Sequence, residues 1–119
     1  MSIWKWFRKE RPEGSVKELT DEAFDAFLAE NARAVVEVYL GTCPHCQRMA
    51  PIYERVAEAS SMRAAFARIE GRMQPKTARR YEVSSAPTFL FFKDGAKVAS
   101  LEGEMSKMEL EHHVSIHFG

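Results

Sequence analysis

Between Ala34 and Leu40 the chain reads Ala-Val-Val-Glu-Val-Tyr-Leu, and this stretch limits the possible folds more than any other. A short run that is β-branched and aromatic, with almost no polar alternation, is the pattern of a strand buried on both faces. Such a strand needs covering elements above and below it. Its one carboxylate, Glu37, would sit among apolar neighbours. Directly afterwards come Gly41, Thr42 and Cys43-Pro44-His45-Cys46, which contains both cysteines of the 119-residue chain. Two cysteines are too few to staple a secreted scaffold, and a bridge between them closes almost no chain, so it adds little to stability. The pair is therefore there for chemistry.

Flanking segments supply the covering helices. Thr20 is placed to cap a helix with an acidic first turn, Asp21-Glu22, and a stripe of Phe24, Phe27 and Leu28, ending near Asn31. After the cysteines, Met49, Ile52, Tyr53, Val56 and Ala57 recur at the helical period from about Pro44 to Ser60, with Pro51 expected to kink the helix. Ala65 to Ile69 reads as a second central strand, and a short helix follows from Pro75 to Tyr81. Ser85 to Phe92 is a strand entered through Pro87, and Lys93-Asp94-Gly95 turns it into a hairpin partner, Lys97 to Glu102. Ser106-x-x-Glu109 is a capping box opening a last helix, with Leu110, His113, Val114 and His117 on one face. This alternation predicts an α/β fold with a central mixed β-sheet of about four strands, flanked by helices on both faces.

Composition narrows the class. At 45% hydrophobic and 29% charged, the chain is an ordinary globular one with room for a single domain. Its 17 Lys plus Arg offset its 17 Asp plus Glu, which argues against nucleic acid as a partner. No apolar run approaches the ~18 residues that would span a membrane. Residues 1–14 read as a basic and aromatic amino-terminal extension ahead of a domain at 15–119. Ile3, Trp4, Trp6 and Phe7 lie there among Lys5, Arg8, Lys9 and Arg11, suited to packing on the domain, docking a partner or touching a membrane surface. The scattered charges leave no apolar region of a secretory signal, so a cytoplasmic location is expected. Arg63, Arg68, Arg72, Lys76, Arg79 and Arg80 fall within 18 residues opposed by Glu70 alone, which reads as a solvated basic face and, second, as a site for an acidic protein.

Cys43 falls where a strand ends and a helix begins, so unpaired N–H groups and the helix dipole favour its thiolate, the form that attacks a disulfide. It is the expected nucleophile. Cys46, one turn inside, is placed to resolve a mixed disulfide. Pro44 at the first helical position gives up no needed hydrogen bond, and His45 offers an imidazole to steady the thiolate. A zinc site would need a second pair of ligands. The candidate, His113-x-x-x-His117, begins 67 positions beyond Cys46 on an apolar helix face, so core or interface histidines are the better reading and no metal is expected. His112, off that face, reads as solvated.

From about residue 16 to 118 this order of elements, with its Cys-x-x-Cys, its Ala86-Pro87-Thr88 strand start and its Asp94-Gly95 hairpin, resembles the thioredoxin family. From Cys43 to Gly103 the spacing is similar without a gap. The resemblance implies the whole thioredoxin fold, a cis Pro87 beside the cysteines, Pro51 as the helix kink, and family glycines at Gly95 and Gly103. It also implies a buried acid at Glu37, relaying a proton for Cys46, and a cation near it at Arg68, where the family has a lysine. An arginine does not give up its proton, so a structural Glu37–Arg68 ion pair is weighed equally with the relay. The family usually has a tryptophan before the first cysteine and Gly-Pro between the two, where this chain has Thr42 and Pro44-His45. The Pro-His dipeptide resembles that of periplasmic disulfide-forming oxidases, but the 41 positions from Cys46 to Pro87 leave no room for their helical insertion.

The function so implied is thiol–disulfide exchange with protein disulfides through Cys43 and Cys46. It needs no metal or organic cofactor beyond the redox-active disulfide itself, and the resemblance suggests a monomer served by a protein reductase such as a thioredoxin reductase. Thr42, Ala86, Pro87 and Thr88 are expected to receive an extended client segment. His45, by steadying the thiolate, is expected to make the pair more oxidising than an ordinary thioredoxin. The competing expectation is a binding module of the same fold that recruits a partner through the basic run or the aromatic extension.

Overall fold

The computed structural model describes residues 15–119, so the extension assigned to residues 1–14 lies outside the described residues. In chain order the elements are β1 (Val16–Leu19), α1 (Asp21–Glu30), β2 (Arg33–Tyr39), α2 (Pro44–Ala59), β3 (Ala65–Glu70), α3 (Pro75–Arg80), β4 (Thr88–Lys93), β5 (Ala96–Glu102) and α4 (Lys107–Phe118). One mixed sheet runs in the order β1-β3-β2-β4-β5. β2 holds its centre, parallel to β3 and antiparallel to β4. Five strands replace the expected four. The added one, β1, lies parallel to β3 at the edge, and with only four residues and a polar Lys17-Glu18 middle it carries too little periodicity to stand out in the sequence.

The near-continuous apolar run of β2 is explained by two cores. Val35 packs with Met49, Tyr53 and Val56 of α2 and with Leu110, Val114 and Phe118 of α4. Ala34, Val36 and Val38 pack on the other face with Phe24, Phe27 and Leu28 of α1, with Ala78 of α3 at the rim. Successive side chains of a strand point to opposite faces, so Glu37 shares the face of Val35 and lies beneath α2.

Local signals behave as their chemistry requires. The Thr20 hydroxyl oxygen accepts the Ala23 N–H at 3.1 Å, and Ser106 and Glu109 exchange both bonds of a capping box. Pro51 lies inside α2, with no N–H to offer the Gln47 carbonyl one turn back. At the hairpin Asp94 (φ 51°) and Gly95 (φ 84°) both take left-handed backbone, the geometry of a two-residue turn matched to strand twist.

Two expectations are corrected. The buried stripe of α4 is Leu110, Val114 and Phe118, with His113 and His117 only half-buried beside it, because Phe118 rather than His117 completes the i, i+4, i+8 row. The basic run forms no single face. Arg63 donates to the Ser115 hydroxyl of α4 at 3.0 Å, Arg68 lies over the Tyr39 ring and Arg80 pairs with Asp25 of α1 at 2.7 Å. Among the described residues no three His, Cys, Asp or Glu side chains converge as they would on a metal ion, and no helix is long and apolar enough to cross a membrane.

Candidate active site

The carboxyl end of β2 delivers the chain to the amino end of α2 through a turn closed by the Cys43 N–H on the Leu40 carbonyl, 3.2 Å. Cys43 occupies the N-cap of α2, where its sulfur accepts the Cys46 N–H at 3.2 Å, the place a serine or aspartate oxygen would fill in an ordinary helix. The half-buried Cys43 thiol also faces the Ala86 carbonyl, 3.8 Å away across the Ala86-Pro87 peptide, which is cis. Its pKa is lowered from the usual 9.0, first by the hydrogen bond from the Cys46 thiol, then by the N–H groups of Cys46 and His45 and the charge of Arg48, against an opposing desolvation. Cys46 is only 3% exposed, its sulfur accepting the Leu40 N–H at 3.5 Å. Burial, followed by the neighbouring thiol, pushes its pKa up to about 12. Both cysteines are free thiols, the first made more acidic than usual and the second less so.

Beneath them Glu37 is 1% exposed and its Oε2 has no hydrogen-bond partner among the described residues. Burial raises its pKa to about 7, opposed by the Arg68 charge and assisted by Glu18. Arg68 is its cross-strand partner in register, yet the two form no direct ion pair. The guanidinium lies 3.8 Å from the centre of the Tyr39 ring, and its Nε is 3.4 Å from Glu18 Oε1, an ionic contact without hydrogen-bond geometry. Tyr39 in turn donates to Glu18 Oε2 at 2.7 Å. The expected Glu37–Arg68 bridge is thus replaced by an attraction across the strands, because the edge strand β1 offers the arginine a more exposed carboxylate. A cavity of about 240 Å³, bordered by Tyr39, Cys46, Gln47 and Arg68, opens beside the buried thiol.

The remaining expected residues divide. Thr42 is exposed in the turn, Pro44 starts α2, and Ala86 is half-buried at the rim of a largely apolar cavity of about 160 Å³ that includes Val38, Leu40 and Val83. Thr88, grouped with the client-facing residues, is 2% exposed, and its hydroxyl donates to the Ser85 carbonyl at 2.7 Å; it holds the loop's shape and offers nothing to the surface. His45 contributes to the thiolate through its backbone N–H, while its imidazole Nδ1 lies 2.8 Å from Glu104 Oε1. Sequence reasoning missed Arg48 and Glu104. Arg48 was findable as the cation one turn beyond His45 on the same helix, whereas nothing in the chain around Glu104, 58 positions after Cys46, marks it as part of the site.

The Thioredoxin family model matches residues 15–115. The chain belongs to the thioredoxin family. It is 37% identical over 77 residues to a probable protein disulfide-isomerase A4 of Caenorhabditis elegans, a match covering 65% of this chain and 12% of that protein. It is 35% identical over 95 residues to protein disulfide isomerase-like 1-3 of Arabidopsis thaliana, covering 80% and 16%. With a thioredoxin of Buchnera aphidicola it shares 29% over 103 residues, covering 86% and 94%. The chain therefore spans a small part of the disulfide isomerases it matches and nearly all of that thioredoxin. Thioredoxin-family oxidoreductases work through a cysteine pair without an added cofactor, and this chain carries such a pair at Cys43 and Cys46.

Proposed function

We propose that the protein exchanges its Cys43–Cys46 dithiol and disulfide with disulfides of client proteins in the cytoplasm, and that a protein reductase such as a thioredoxin reductase restores the dithiol. The observation that carries this reading is the inequality of the two thiols, an acidic, partly exposed Cys43 and a buried Cys46 pushed up to about 12. The Cys43 thiolate attacks one sulfur of a client disulfide, that S–S bond breaks, and the departing client sulfur takes up a proton. Cys46 then gives up its proton and attacks the Cys43 sulfur, the bond between Cys43 and the client sulfur breaks, and the second client sulfur leaves and takes up a proton from solvent. Two electrons have passed to the client, and the Cys43–Cys46 disulfide remains. Glu37, which lies beneath α2 with a pKa near 7 and acts electrostatically on Cys46, is assigned to take the proton that Cys46 loses. Thr42, Ala86 and Pro87 are assigned to the client segment, supported by the approach of the Ala86 carbonyl to the Cys43 sulfur.

The test is dithiothreitol-driven reduction of insulin. Cys43→Ser abolishes it, and Cys46→Ser accumulates mixed disulfides with clients; a fully active Cys43→Ser variant overturns the assignment. The binding-module alternative gains no support from the relatives. The cytoplasmic location belongs to the same proposal, and cell fractionation tests it.

A further inference from the structure

Glu104 is not used by the exchange chemistry, yet its carboxylate engages two side chains at the amino end of α2. It follows Gly103 (φ 97°), whose N–H is held by the Pro87 carbonyl at 2.8 Å, so the bend after β5 is fastened to the strand start that carries Ala86. From that bend the side chain reaches across to α2. Its Oε2 accepts Arg48 Nε at 2.9 Å, and its Oε1 accepts Arg48 Nη2 at 2.9 Å and lies 2.8 Å from His45 Nδ1. Arg48 Nη2 is also 2.9 Å from that same His45 nitrogen. One ring nitrogen cannot donate to Glu104 and accept from Arg48 at once, so the imidazole proton selects between two partners. The Glu104 carboxylate is held down to about 2 by Arg48 and then His45.

These three side chains are exposed to differing degrees, 61% for His45, 58% for Arg48 and 34% for Glu104, so the cluster is a surface device at the mouth of the site. Its electrical target is Cys43. The groups acting on that sulfur are the Cys46 thiol and N–H, the His45 N–H and the Arg48 charge from α2, with the Ala86 carbonyl facing it from the loop before β4 and Glu37 acting on Cys46 from the sheet below. Among the described residues the cation of Arg48 favours the thiolate, and it is clamped by two oxygens of Glu104.

We propose that Glu104 is a positioning residue for the exchange reaction: it gathers Arg48 and His45 at the amino end of α2, and its negative charge limits the positive potential that Arg48 places on the Cys43 sulfur. The inference rests on the reading of Cys43 as the nucleophile. A less stabilised thiolate means a less stabilised dithiol, so Glu104 keeps the pair more reducing than its Pro-His dipeptide alone would make it.

The experiment compares wild type, Glu104→Gln and Glu104→Asp by the pH midpoint of Cys43 alkylation and by equilibrium against a glutathione series. Glu104→Gln lowers the midpoint and shifts the equilibrium toward the dithiol by about threefold, or about 14 mV for a two-electron couple, while Glu104→Asp stays near wild type. The gap between wild type and Gln shrinks in ~1 M salt, where exposed charges are screened. An unchanged or raised midpoint in Glu104→Gln, or an equal shift in Glu104→Asp, overturns the proposal. Insulin reduction by Cys43→Ser separates the two claims: if that variant is active the nucleophile is misassigned, and if it is dead while Glu104→Gln shifts nothing, only the role of Glu104 fails.

Discussion

Replacing Glu37 by glutamine stabilises the protein in alkaline solution and leaves it nearly unchanged in acid. The carboxyl is 1% exposed, one of its oxygens has no hydrogen-bond partner among the described residues, and burial lifts its pKa from 4.5 to about 7. Between those two values the folded protein keeps a proton that the unfolded chain has lost. Stability from this group is therefore fully present below 4.5 and is lost as the pH rises through 7. A shift of about 2.5 units, at about 1.36 kcal/mol per unit, makes the loss about 3 kcal/mol once the group is ionised in both states. Glutamine keeps the shape of the protonated acid and carries no charge at any pH. The assay is urea unfolding of the disulfide form, in which neither cysteine titrates, at about pH 4.5 and about pH 8.5. The advantage of Glu37→Gln over wild type grows by about 3 kcal/mol between the two conditions. An advantage equal at both would refute the reasoning, because it would mean that Glu37 titrates like a solvated carboxyl.

Changing Pro44 to Gly and His45 to Pro removes the residue-45 N–H that favours the Cys43 thiolate, so the Cys43 pKa rises and the reduction potential falls, by about 30 mV for each ~1.4 kcal/mol withdrawn from the dithiol. A glutathione titration measures it, and an unchanged or higher potential contradicts the assignment of that donor. Tyr53→Phe deletes a buried hydroxyl that lies 3.1 Å from the Val35 carbonyl and 2.7 Å from the Ala67 carbonyl, tying α2 to both central strands. The loss is about 1–2 kcal/mol in denaturant unfolding, and a neutral effect would show that those carbonyls need no such partner.

The fold was legible where side-chain period and burial agree. The run Ala34 to Leu40 marks a central strand because two cores claim alternate residues, and the caps at Thr20 and Ser106 mark helix starts because their oxygens meet specific N–H groups. β1 was not legible, since four edge residues carry no period. At the site, the cysteine pair was visible as a local motif, and Glu37 as a carboxylate in an apolar strand. What the sequence could not supply was which partner each charge would choose. Arg68 goes to Glu18 and Tyr39 because β1 lies beside β3, and the His45 ring goes to Glu104 because the Gly103–Pro87 bond swings that bend over α2. Both outcomes depend on contacts between segments far apart in the chain.

Residue-resolved alkylation of the reduced protein by iodoacetamide, followed by mass spectrometry across a pH series, tests the central claim most directly. The account predicts that Cys43 reacts with a midpoint below 9.0, while Cys46 stays unmodified through the range in which Cys43 titrates. Cys46 reacting first, or both thiols sharing a midpoint near 9.0, would contradict it.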